Sequence, residues 1–172
     1  RWYNMSTLNV DTLQDKAGAF EHARLVQVQT VSKTDIFTST NTSFVDVTGL
    51  TVDITPTVAA NKILVMFQLW SGADDRCQVK LLRDSTAINL GDASSSRISC
   101  SGVGMSGGEK AYQLRYVGGT FIDSPNSTSA LTYKLQVRAN SGTAAVNATQ
   151  ENSDSAVSTL TASNIVLMEI RT

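Results

Sequence analysis

The sequence predicts an all-β fold, an antiparallel sandwich or barrel, and three observations carry that reading. From Ala23 onward, stretches rich in β-branched and aromatic residues alternate apolar and polar positions at period two. Gly, Asn, Asp and Ser punctuate them at short spacing, as turns require. The polar surface is built from hydroxyls: 20 Ser and 20 Thr stand in 172 residues, and charged residues make up 17%, against about 25% in ordinary globular domains.

The elements follow in order. Residues 25–31 (LVQVQTV) and 44–47 (FVDV) alternate as strands, Gly49 punctuates, and Leu50, Val52 and Ile54 share one face until Pro56 ends the run. Residues 62–70 (KILVMFQLW) form a nearly continuous apolar run of strand length, which predicts a strand buried on both faces. Residues 77–83, a turn at Asp84-Ser85 and a return through 87–90 read as a hairpin. Tyr112, Leu114 and Tyr116 alternate with polar residues until Gly118-Gly119 break the run before 120–122. The cleanest strand carries Leu131, Tyr133, Leu135 and Val137, and Asn140-Ser141-Gly142 turns it into 143–148. A last strand spans 165–170. Eight to ten strands are expected in total. Asp11 with Gln14 resembles a capping box, so a turn or two of helix is the most that residues 1–24 would hold. The chain divides into an arm, 1–24, and a β-domain, 25–172.

Composition excludes several functions. A net charge of −1 with no local Lys/Arg cluster lacks the electrostatic footprint of a nucleic-acid binder. The longest apolar run, Ile63 to Phe67, falls far short of the ~20 residues that span a bilayer. Arg1-Trp2-Tyr3-Asn4 leads straight into polar sequence, without the pattern of a signal peptide. Cys77 and Cys100 allow one disulfide at most, and two small buried thiols are the equal alternative.

Little points to chemistry. Gly102, Gly104 and Gly107 spell G-x-G-x-x-G, but a strand-like segment follows instead of a helix, so the motif reads as a flexible loop. His22, the one histidine, lies in the arm, away from any pocket of the β-domain. Asp74, Asp75, Asp84 and Asp92 are oxygen donors that could hold calcium, but they stand where turns are expected and read as turn formers. The sequons at Asn4, Asn41, Asn126 and Asn147 read as turn and strand-surface residues. Trp2, Tyr3 and Trp70 could stack on sugars, with Trp70 better placed in the core. No catalytic residue, cofactor or metal site is expected, and the chain is not read as an enzyme.

Met5 to Gly18 (MSTLNVDTLQDKAG) resembles the opening of tail-fibre-like and other virion proteins of tailed bacteriophages. Residues 44–56, 62–65, 82–88, 121–125, 132–138 and 165–170 resemble a β-module of the same virion proteins. The order of strands is similar to trimeric jelly rolls of the C1q and tumour-necrosis-factor type. The resemblance implies an antiparallel jelly-roll sandwich preceded by a short N-terminal arm. It also implies a homotrimer with a terminal apolar strand at its centre, which places Ile165, Leu167 and Ile170 at the trimer interface. Glu169 and Arg171 depart from a purely apolar axis.

The implied function is a non-enzymatic structural protein of a tailed-phage virion, outside the cell after lysis. A fibre-type protein contacting a host-surface polysaccharide is the first reading, and a capsid decoration protein or head fibre the second. A secreted carbohydrate-binding domain is the third. In the first two, Trp2, Tyr3, Leu8, Val10, Leu13 and Phe20 would attach the arm to other virion proteins, since a free tail so rich in large apolar groups is a liability in water. The alternative is an extra strand folded back on its own domain. Neither nucleic acid nor membrane is an expected partner.

Overall fold

A computed structural model describes residues 25–105 and 112–172 of the chain. Within them lie eleven strands: β1 (Leu25–Lys33), β2 (Phe37–Ser39), β3 (Val45–Ile54), β4 (Lys62–Ala73), β5 (Arg76–Arg83), β6 (Thr86–Ile88), β7 (Gly102–Met105), β8 (Arg115–Asp123), β9 (Leu131–Ala139), β10 (Ala144–Val146) and β11 (Ser163–Ile170). All pairings are antiparallel and form two sheets. The first sheet runs β1-β11-β4, with β8 on the other edge of β4. β11 pairs with β4 as far as Gln68, and the short β10, itself paired with β2, takes over along the same edge at Ser71–Ala73. The second sheet runs β3-β9-β5, with β6 and β7 sharing the far edge of β5. The links β3–β4, β4–β5 and β8–β9 each cross from one sheet to the other, so the chain winds as a jelly-roll sandwich. The predicted all-β antiparallel class is the observed one.

Period-two alternation supplies the core. On β9, Leu131, Tyr133, Leu135, Val137 and Ala139 are buried while the residues between them face outward. Ile63, Val65, Phe67 and Leu69 of β4 and Ile165 and Leu167 of β11 meet them from the opposite sheet. In β3 the buried set changes parity, from Val47 to Leu50, Val52 and Ile54. A bulge between Asp46 and Thr51 makes the change, and Gly49, at φ +86°, accommodates it.

Some expectations need correction. Gly118 and Gly119 do not break a strand, because β8 runs through both and pairs with β4 along its whole length. Gly102 and Gly104 are not in a flexible loop: they belong to β7 and pair with Val79 and Cys77 of β5. A side chain at either would strike Val117, and at Gly104 also Ser71, so glycine lets β7 lie close against the first sheet. Gly107 lies outside the described residues. The expected hairpin is present, with Arg83 paired to Thr86 across Asp84 at φ +54°. β2 had no counterpart in the sequence reading.

The end of the sandwich at Asp123 is closed by polar contacts between the sheets. Arg83 Nη1 donates to both Asp123 oxygens at 2.7 Å, and the buried Tyr133 hydroxyl donates to the same carboxylate at 2.6 Å. Burial first, and then the hydrogen bond it donates to the Asp123 carboxylate, hold the Tyr133 hydroxyl far above its ordinary pKa. Tyr133 is therefore a neutral donor at any physiological pH.

Candidate interaction surface

β4 and β11 are apolar on both faces, and the described residues cover only one. Their inward residues fill the core, while Leu64, Met66 and Trp70 of β4 and Val166, Met168 and Ile170 of β11 are half-buried on the outer face. Register joins them into one surface, with Met66 opposite Val166 and Leu64 opposite Met168. β1 extends it through Val28, 45% exposed and opposite Met168. β8 extends it the other way through Ile122, 60% exposed and opposite Leu64, and Tyr116, 55% exposed and opposite Trp70. Thr30, Gln68, Thr120 and Asn164 complete the central part of this face, and Lys62 supplies a charge at one end. A continuous stripe of large apolar side chains from one sheet edge to the other is what association surfaces look like, unlike scattered single hydrophobics.

The surface is not flat. Gly118 and Gly119 leave a depression of about 350 Å³ between Met66, Gln68, Tyr116 and Val166. The Tyr116 ring folds back over Gly118, where any side chain would collide with its hydroxyl. Trp70 meets Tyr116 edge to face, with centroids 5.5 Å apart and planes at 67°. The expectation that Trp70 is core is thereby corrected: its backbone position in β4 has outward parity.

The same parity separates the three residues expected at a trimer axis. Ile165 and Leu167 are completely buried between the two sheets of the sandwich. They have no surface left to offer a neighbour. Ile170 is on the outer face, and Val166 and Met168, not Ile165 and Leu167, stand beside it.

Glu169 explains the parity. It is fully buried on the inward side of β11, where a carboxylate is normally unfavourable. It accepts hydrogen bonds from Gln27 Nε2 (2.6 Å), the Thr57 backbone N–H and hydroxyl (both 2.8 Å) and Asn61 Nδ2 (2.6 Å). Burial pushes its pKa up, but these bonds from Asn61, Gln27 and Thr57 outweigh burial and hold it down at about 2. The carboxylate ties β1 and the β3–β4 link to β11, and so fixes the strands that carry the apolar stripe.

The other residues singled out by sequence fall elsewhere. Trp2, Tyr3, Leu8, Val10, Leu13, Phe20 and His22, with the Asp11 cap, lie outside the described residues. Cys77 and Cys100 are both free. Cys77 is opposite Gly104, so Cys100 lies four positions further along the adjacent segment, about 13 Å away at ~3.3 Å per residue and beyond the ~7 Å a bridge allows. Burial pushes the Cys77 thiol up to about 12, so it is a poor thiolate source. Asp74 accepts from the Thr143 N–H at 2.6 Å and Asp75 from Asn140 Nδ2 at 2.5 Å, bracing the β4–β5 turn against the β9–β10 turn. The Asp84 carboxylate accepts from the Thr132 N–H at 2.9 Å. Asn147 is not a surface residue: fully buried at φ +65°, it donates to the carbonyls of Lys33 and Asp35 and accepts from Ser163. Among the described residues, no three His, Cys, Asp or Glu gather as a metal site would need.

No family model matches the sequence, and neither does any curated protein. Among solved structures, the chain is similar to one from infectious bursal disease virus, Gt strain, at 14% identity and a TM-score of 0.39. The match covers 95% of this chain and 46% of that one, so this chain spans less than half of its length.

Proposed function

We propose that this chain is a non-enzymatic structural protein of a tailed-phage virion that works as a homotrimer. The observation that supports this most is the outer face of β1-β11-β4-β8, where two central strands are apolar on a side that the described residues leave uncovered. A second copy is the occupant that suits the face best. It carries Lys62 but no carboxylate across its paired positions, so charge does not select a foreign partner. The stripe also runs from edge to edge and can meet a neighbour on either side of β11, as a closed three-fold arrangement provides.

The virion assignment rests on the sequence resemblance to tail-fibre-like proteins, with the arm at 1–24 joining the trimer to other virion proteins through Trp2, Tyr3, Leu8, Val10, Leu13 and Phe20. A fibre that presents its loops to a host-surface polysaccharide is the favoured form. The same surface serves a capsid decoration protein, and labelling of the protein on intact particles separates the two: signal on fibres supports the first and signal on the shell the second.

Light scattering after size exclusion tests the assembly. A trimer is expected for the wild type, and Met168→Asp should give a folded monomer with an unchanged β-signal. A wild-type chain that stays monomeric at micromolar concentration overturns the reading.

A further inference from the structure

On the outer face of the other sheet, a depression of about 410 Å³ gathers three cations, Lys80 of β5, Arg138 of β9 and Arg97 of the β6–β7 link. Among the described residues, no carboxylate lines it. The Asp46 carboxylate on the same face is already held by Lys134 and Gln136, each at 2.7 Å. Two of the cations are positioned in advance. Lys80 Nζ sits 4.2 Å above the centroid of Phe44. Arg138 is oriented by donating through Nε to the Thr42 carbonyl and through Nη1 to Gln78, which leaves Nη2 for a further acceptor. Arg97 is exposed on the rim, beside Ile98, which is 46% exposed, and Ser99. Ser43 and Ser99 also line it.

From this combination we infer that the depression binds a carboxylate-bearing sugar residue. The cations match a carboxylate, and Arg138 offers a pre-oriented planar donor for it. The serine hydroxyls match the ring hydroxyls of a pyranose. The exposed side chain of Ile98 offers an apolar contact for the C–H face of the ring. The volume lies within the range of small-ligand sites. The site is on the opposite side of the sandwich from the apolar stripe, so it stays open when copies associate. The inference deepens the host-contact part of the proposed function and rests on it only for the ligand being part of a host surface.

The test is calorimetric or NMR titration of the full chain with trigalacturonate, with its methyl ester and with inorganic phosphate. Saturable binding of trigalacturonate is expected, weakened by added salt and weakened about tenfold in Arg97→Glu, the loss of roughly one charge-assisted hydrogen bond. Lys80→Gln should weaken it similarly, and the methyl ester should not bind. Four results each overturn the inference: no saturable binding at millimolar sugar, equal binding of the ester, phosphate binding as tightly as the sugar, or undiminished binding in both variants. Light scattering on the same samples keeps the two readings apart. Failure to bind by an intact trimer ends this inference alone, and binding by a stable monomer ends the assembly reading alone.

Discussion

The two outer faces of the sandwich are made by the same alternation and come out opposite in character. On β9 the outward positions are Thr132, Lys134, Gln136 and Arg138, and on the adjacent β5 they include Gln78 and Lys80. On β4 and β11 the outward positions include Leu64, Met66, Trp70, Val166, Met168 and Ile170. Both sheets bury a full inward set, so the outward set is not needed to make the fold. The polar face is finished as it stands. The apolar one is stable in water only to the extent that something covers it.

Neighbouring residues of β11 provide the sharpest way to break this comparison. Leu167→Asp should abolish the cooperative melt, because it leaves an unpaired carboxylate in the core at a cost of several kcal/mol. Thermal denaturation followed by circular dichroism reads this directly. Met168→Asp, one position along, should leave the subunit folded and alter only its assembly. If the two variants behave alike, the faces do not have separate roles.

Glu169→Gln comes next, at about 2–3 kcal/mol, since an amide replaces a carboxylate that accepts at both oxygens, and its NH₂ would face the donor of Gln27 in one orientation or those of Thr57 and Asn61 in the other. The pH dependence has a definite sign. The folded pKa, about 2, lies below the ordinary 4.5, so the stabilisation is fully present above 4.5 and is lost as pH falls from there towards 2. Urea titrations across that window should show wild-type stability dropping and the Gln variant changing much less.

Two smaller effects test the polar face. Gln136→Asp, which adds a charge to the second sheet, should leave the mass in solution unchanged, in contrast to Met168→Asp. Lys134→Ala removes a partly exposed ion pair with Asp46 and should cost less than about 1 kcal/mol in chemical denaturation. A larger loss would mean that this face, too, contributes packing.

Much of the architecture was legible in the sequence where one parity is apolar and the other polar. β9 is the clear case, and the Asp84-Ser85 hairpin follows from turn chemistry. Legibility failed where both parities are apolar. In residues 165–170 no pattern says which side points inward, and the charged Glu169 argues for the wrong one. Its burial depends on Gln27, Thr57 and Asn61, residues more than a hundred positions away in sequence. The same ambiguity misplaced Trp70 into the core. β7 was missed because Gly102 and Gly104 contribute no side-chain period, although their lack of side chains is what lets the strand approach Val117 and Ser71. The cationic depression was missed for a related reason. Its three charges are 17 and 41 residues apart in sequence (80 to 97, 97 to 138); the pairing of β5 with β9 brings Lys80 beside Arg138, and the β6–β7 link brings Arg97 to them.

The position of β11 between β1 and β4 has a consequence in time as well as in space. β1 is made first of the described strands and, among the described residues, its one sheet partner is β11, which is made last of them. The nascent chain therefore holds the first sheet open, with its earliest strand waiting for its latest. Such distant pairing makes folding slow. It also acts as a timer: the sticky stripe does not exist as a surface until residues 163–170 have been inserted. Half-made chains on neighbouring ribosomes therefore do not yet present that surface to one another.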